Sequence, residues 1–116
     1  MSRPNYRYYG GFSNEQLVSS CTLTIIPNLT RSCRPFGVVE NVVTNRTHRR
    51  KGCATALLEA ALADAWDAQC YKVMLLTGRK DEATFRFYEA AGFDRDAKQA
   101  FVAKPTHADD VPSGSA

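Results

Sequence analysis

A helical repeat set between two strand-like runs limits the folds open to this chain more than any other feature. From Cys53 to Gln69, apolar residues fall at Ala54, Leu57, Leu58, Ala61, Leu62, Ala65 and Trp66, the i, i+3, i+4, i+7 spacing of a helix with one buried face. Glu59, Asp64 and Asp67 take the wet side, and Trp66 with Leu57, Leu58 and Leu62 is expected in the core. Before this helix, Phe36 to Thr44 is an apolar run whose one charge is Glu40; after it, Tyr71 to Thr77 is a second run, ended by Gly78. Strand, helix, strand in that order predicts a crossover between neighbouring parallel strands, with the helix packed on the sheet. A shorter helix is predicted over Asp81 to Ala91, with Gly92 as its C-terminal cap. Leu17 to Ile26, rich in β-branched residues and stopped by Pro27-Asn28, reads as a further strand with Tyr6 to Phe12 as a possible hairpin partner. Gln99 to Ala103 reads as a last strand. The fold class is therefore α/β, with helices packed on a mixed sheet.

At 116 residues, with 44% hydrophobic and 23% charged positions, the chain has room for one domain and one core. A single domain over 1–105 and a loose tail over 106–116 are expected, because the tail after Pro105 has little to bury. No apolar run nears the roughly 20 residues of a membrane span, and no apolar signal core follows the N-terminal arginine, so a cytoplasmic location without membrane partners is expected. Cys21, Cys33, Cys53 and Cys70 are unevenly spaced, contain no CxxC pair and have only two histidines to complete a metal site, so free thiols and no metal are expected. Cys53, at a helix start, reads as a space-filler or as a reactive thiol. The sequons at Asn28 and Asn45 read as chance matches.

Arg46, His48, Arg49, Arg50 and Lys51 make a basic patch in a chain of net charge +3, directly before Gly52 and the helix start. The plain readings of such a patch are a solvated loop or a nucleic-acid contact, but no aromatic interleaving or nucleic-acid motif accompanies it, so no nucleic-acid partner is expected. A helix start instead offers unpaired N–H groups and partial positive charge, and a glycine lets backbone approach an anion, which suits a compact polyphosphate.

Taken in order, a strand, the pattern RxxGxA at Arg49-Arg50-Lys51-Gly52-Cys53-Ala54, a second strand, and a helix ending Phe87-Tyr88-Glu89-Ala90-Ala91-Gly92-Phe93 resemble the GNAT superfamily of acetyltransferases. The resemblance runs from about Leu17 to Val102 and is to a small member: too few residues precede Leu17 to supply the strand and two helices with which members normally begin. It implies the acyl-CoA N-acyltransferase fold, a mixed sheet whose two central strands splay apart to admit acetyl-CoA. It also implies that Arg49, Arg50, Lys51, Gly52, Cys53 and Ala54 hold the CoA pyrophosphate. The backbone of Val42, Val43 and Thr44 would bond the pantetheine arm, with Val73 to Thr77, Thr77 included, as the other wall. Asp81 stands where many members carry an asparagine that touches the cofactor arm, and it also reads as a helix cap.

The implied activity is N-acetyl transfer from acetyl-CoA to a primary amine, on a small molecule in preference to a peptide. In that reading Tyr88 matches the tyrosine that protonates the leaving sulfur, and the Val43 N–H stabilises the oxyanion. Glu40 is the candidate base, its carboxyl raised by desolvation on an apolar strand; it reads equally as a structural carboxylate paired with Arg34 or Arg46, and Tyr88 as a ring packed into the core. A non-catalytic acyl-CoA-binding or regulatory module is the alternative function. A homodimer is expected, because a short N-terminal region leaves sheet edge and apolar surface uncovered.

Overall fold

The computed structural model describes residues 5–45 and 52–106. They fall into two compact units, Met1–Leu76 and Thr77–Ala116. The first contains β1 (Tyr6–Ser13), β2 (Gln16–Ile26), a short 3-10 turn (Arg31–Cys33), β3 (Phe36–Thr44), α1 (Cys53–Asp67) and β4 (Val73–Leu75); the second contains α2 (Glu82–Ala90). The sheet order is β1-β2-β3-β4. β1 and β3 each run antiparallel to β2, while β4 runs parallel to β3, so the mixed sheet with its parallel crossover through α1 is found.

The β1–β2 hairpin closes through Asn14 and Glu15 at φ 51 and 66, the two positive values of a turn whose twist matches that of its strands. Val18 is the extra residue of a bulge in β2, between the pairs Gly11–Ser19 and Phe12–Leu17. One face of the sheet packs on α1. Tyr9 Oη donates to Asp64 Oδ2 of that helix at 2.7 Å, which assigns the odd residues of β1 to the covered face. Cys21, Leu23 and Val39 in the strands, with Ala61 and Ala65 in α1, have no exposed surface, and Leu58 is buried with them. Each large apolar side chain buried here contributes roughly 1.5–3 kcal/mol.

Two expectations of the helix and strands need correction. The buried stripe of α1 is Leu58, Ala61 and Ala65, and Trp66 is 51% exposed. One residue beyond Ala65 is a turn of about 100° around the helix, which carries the indole off the sheet-facing side. β4 covers only Val73–Leu75 of the expected Tyr71 to Thr77, although Tyr71 N–H donates to the Pro35 carbonyl and Lys72 O accepts from Gly37 N–H.

In the second unit, the Asp81 side chain caps α2 by accepting from Thr84 N–H at 2.8 Å. Gly92, at φ 104, ends the helix as expected: its N–H reaches Glu89 O and the Phe93 N–H reaches Tyr88 O, the paired bonds of a Schellman motif. Arg95 forks between Glu82 and Glu89, at 2.8 Å to each, over the Phe85 ring. Its hydrogen bonds are the chief reason both carboxyls lie below their ordinary range. The expected strand at Gln99 to Ala103 is absent; this segment has no regular structure, and Phe101 is 89% exposed. An apolar run this short forms a strand only beside a partner edge, and no described strand pairs with it.

Candidate active site

β3 changes character halfway along. Up to Val39 it pairs on both sides: with β2, and with β4 through Gly37–Val73, Val38–Met74 and Val39–Leu75. The last bond to that side runs from Leu76 N–H to Val39 O at 3.3 Å. Beyond it, Glu40 to Thr44 continue along β2 alone among the described strands. The β2 register slips at the same place: Thr22 faces Glu40 but Ser20 faces Val43, so Asn41 and Val42 together oppose Cys21. Asn41 absorbs this bulge at φ 57, a left-handed conformation that asparagine tolerates and β-branched residues resist.

The bulge decides which backbone groups turn outward. Asn45 N–H donates to Val18 O at 2.6 Å, so by the alternation of an antiparallel ladder Val43 also points its backbone groups at β2, while Val42 and Thr44 point theirs away. Buried Ser19 fixes this end of the strand: its hydroxyl donates to Val43 O at 3.0 Å and shares a hydrogen bond with Thr44 Oγ1 at 3.0 Å. Val42 and Thr44 thus present N–H and C=O groups along an edge with no partner strand among the described residues. Val43, the expected oxyanion donor, turns its N–H toward Ser20.

Downstream, α1 starts at Gly52, which takes φ 81 as its N-cap. No side chain caps the helix and its first turn holds no acid, so the N–H groups of Cys53 and Ala54 keep the positive end of the helix dipole unneutralised by the described residues. A Cβ on Gly52 would meet no atom within 4 Å; glycine is favoured there by the backbone angle and not by crowding. Arg49, Arg50 and Lys51, the rest of the proposed cradle, lie outside the described residues, as does Arg46, the other expected partner of Glu40.

Glu40 is exposed, so the burial expected of it on an apolar strand is not found. Nor is the expected pairing with Arg34, whose guanidinium instead donates to the carbonyls of Gln69 and Cys70. Thr77, Asp81 and Tyr88 belong to the second unit. Thr77 Oγ1 accepts from Arg79 N–H at 3.1 Å, and Asp81 serves as the α2 cap. The Tyr88 ring is half-buried and meets Phe87 and Phe93 edge-on, with centroids 5.2 and 6.5 Å apart. The structure brings Val42, Val43 and Thr44 into one unit with Gly52, Cys53 and Ala54. The residue that sequence reasoning missed is Asn41; a turn-forming residue inside an otherwise β-branched run was the available sign of it.

Among the described residues no helix is long and apolar enough to cross a membrane, and no cluster of three His, Cys, Asp or Glu could hold a metal ion. Comparison with known proteins places these features. The chain is 28% identical over 91 residues to glucosamine 6-phosphate N-acetyltransferase 1 of Dictyostelium discoideum, covering 78% of this chain and 56% of that one. It is 33% identical over 84 residues to glucosamine 6-phosphate N-acetyltransferase of Trypanosoma brucei brucei, covering 72% and 55%. The chain thus spans about half the length of these curated relatives. A solved structure from Agrobacterium tumefaciens strain C58, assigned as an acetyltransferase, superposes with a TM-score of 0.83 at 41% identity, covering 89% of this chain and 71% of that one. The acetyltransferase (GNAT) family model matches residues 1–93, and the chain belongs to that family.

Proposed function

We propose that this chain binds acetyl-CoA, the co-substrate typical of its family, and transfers the acetyl group to a primary amine on a small molecule. The observation that carries the reading is the half-paired β3. A strand that loses one neighbour at Val39, bulges at Asn41 and then presents the outward backbone of Val42 and Thr44 offers hydrogen bonds to an extended amide arm. The uncapped start of α1 at Gly52, Cys53 and Ala54, with Arg49, Arg50 and Lys51 before it, suits the pyrophosphate at the end of that arm. Thr77 and Asp81 are proposed contacts of the same cofactor.

In the transfer itself, the ammonium of the acceptor gives a proton to the Glu40 carboxylate, directly or through water. The free amine attacks the thioester carbonyl. A backbone N–H of β3 stabilises the oxyanion; the alternation favours Val42 over Val43, and loss of such a donor typically costs about 10²–10³ in rate. The C–S bond then breaks, Tyr88 protonates the departing sulfur, and the excess proton on the amide nitrogen restores the Tyr88 phenol, directly or through water. Glucosamine 6-phosphate, the amino sugar in the names of both curated relatives, is the first acceptor to try. A homodimer working in the cytoplasm completes the reading.

Thermal melting with and without acetyl-CoA tests it. Binding to the native state alone stabilises by about 2.7 kcal/mol at a hundred times Kd, so the expected result is a rise in Tm that Gly52→Asp abolishes. In an amine screen, Tyr88→Phe and Glu40→Gln are expected to keep this rise and lose transfer. No rise at millimolar acetyl-CoA would refute the reading, and a rise without turnover of any amine would make the chain an acyl-CoA-binding module.

A further inference from the structure

Ser19 and Thr22 are polar side chains buried in β2, each 3% exposed. A buried hydroxyl costs stability unless it is hydrogen-bonded, and both direct their proton at β3. Thr22 Oγ1 donates to Glu40 O at 3.1 Å, and Ser19 Oγ donates to Val43 O at 3.0 Å. Those two carbonyls flank the Asn41–Val42 bulge. Thr22 faces Glu40 and Ser20 faces Val43 in the register, so each carbonyl already accepts a ladder N–H, and the hydroxyl takes its second lone pair. The backbone is satisfied without either hydroxyl, and valine would suit a buried strand at position 22 as well as threonine does.

The two hydroxyls reach β3 from opposite faces of the sheet. Ser19 lies on the α1 side: a Cβ on Gly11 would sit 3.7 Å from Ser19 Cβ and 3.8 Å from Leu57 Cδ2. Thr22, three residues on, is turned to the other side by strand alternation. Ser19 has one proton, and Val43 O takes it, so the Thr44 hydroxyl is the donor in the 3.0 Å contact between Ser19 and Thr44.

A peptide group is planar and trans, so its C=O and N–H point opposite ways. Holding Glu40 O toward β2 therefore aims the Asn41 N–H outward, and holding Val43 O aims the Thr44 N–H outward. Only the bulge lies between these held groups, and the Val42 N–H takes its direction from them. We propose that Thr22 and Ser19 are positioning residues for acetyl transfer: Thr22 aims the oxyanion donor, and Ser19 aims the backbone that receives the cofactor arm. This rests on the acetyl-CoA binding proposed above. With the pyrophosphate at the start of α1, the arm meets Thr44 first and its acetyl end lies toward Asn41 and Glu40, which divides the two roles.

Steady-state kinetics of Thr22→Val, Thr22→Ser and Ser19→Ala beside the wild type, with acetyl-CoA varied, test the assignment. An interaction made only in the transition state lowers kcat, whereas one made equally in the ground state raises KM. Thr22→Val is expected to lose about tenfold in kcat at unchanged KM, part of the about 10²–10³ that an oxyanion donor supplies. Thr22→Ser keeps the hydroxyl and is expected to restore the rate. Ser19→Ala is expected to raise the KM for acetyl-CoA about tenfold with kcat nearly kept. Hydroxyls that served stability alone would lower Tm without separating kcat from KM; that result overturns the proposal, as does a wild-type rate in Thr22→Val. In the free chain, the Val43 N–H is expected to exchange with solvent deuterium several-fold faster in Ser19→Ala, and unchanged exchange overturns the Ser19 role without any ligand. If acetyl-CoA binds but no amine is turned over, the Thr22 role falls with the activity, and the Kd of Ser19→Ala for acetyl-CoA decides the other. A wild type that acetyl-CoA does not stabilise refutes the proposed function and both roles with it, whereas an active wild type matched by its variants overturns the positioning alone.

Discussion

The conformation of Asn41 can be tested by stability alone, before any ligand is known. At φ 57 on an exposed position, the residue has little packing to lose, so a substitution there reports backbone strain. A left-handed conformation costs an ordinary L-residue roughly 1–2 kcal/mol, and a β-branched side chain sits at the upper end of that range or beyond it. Glycine pays no such cost but gains freedom in the unfolded chain, an opposing effect of about 0.4–1 kcal/mol. Asn41→Gly is therefore expected within about 1 kcal/mol of the wild type, and Asn41→Val about 2 kcal/mol below it. Urea unfolding reads this directly: with a slope of about 1–3 kcal/mol/M, the midpoint of the valine variant should fall by roughly 1 M. Deleting Asn41 is the stronger perturbation. It leaves the pairs Ser20–Val43 and Ser19–Thr44 possible while removing the extra residue, so the sheet should persist and acetyl-CoA binding should not. Equal stability of the glycine and valine variants would refute the left-handed bulge, and undiminished acetyl-CoA binding by the deletion would refute its role in shaping the cleft.

Two further outcomes follow from groups buried against α1. Burial first, and then the hydrogen bond to Asp64, push the Tyr9 phenol up to about 12 from its ordinary 10.0. Because the folded value is the higher one, the stability Tyr9 contributes is fully present below pH 10 and lost as the pH rises through 12. An ultraviolet tyrosinate titration of Tyr9→Phe subtracted from that of the wild type should place the missing step near 12, and a missing step at 10 would contradict the buried pairing. Burial also pushes the Cys21 thiol up to about 11 and raises that of Cys70, whereas Cys33 is exposed. A thiol reagent at neutral pH should label Cys33 and spare Cys21 and Cys70 until denaturant is added; rapid labelling of Cys21 in the native protein would show that the core is open.

Much of the fold was legible because periodicity and punctuation act locally. The span of β3, the start of α1 at Cys53 and the closure of α2 by Gly92 are set by an apolar run, by a glycine before the helix and by a glycine after it, and each appears where the sequence puts it. The same local signals misled where a neighbour decides. Trp66 satisfies a helical repeat yet lies beyond the reach of the sheet, and Gln99 to Ala103 has strand composition without a strand beside it.

The candidate site divides in the same manner. The sequence by itself determined the RxxGxA pattern and the glycine at position 52, which a left-handed helix cap favours over any residue with a Cβ whatever surrounds it. Tertiary structure alone decided which backbone groups of β3 are available, because that depends on where β4 stops pairing, at Leu75, and on one extra residue opposite Cys21. A one-residue bulge exchanges inward for outward backbone groups along the rest of a strand, and no composition records it. The exposure of Glu40 was settled likewise: an apolar strand buries a carboxylate only when something covers that face, and what covers a face belongs to the packing of elements and not to the residues within one.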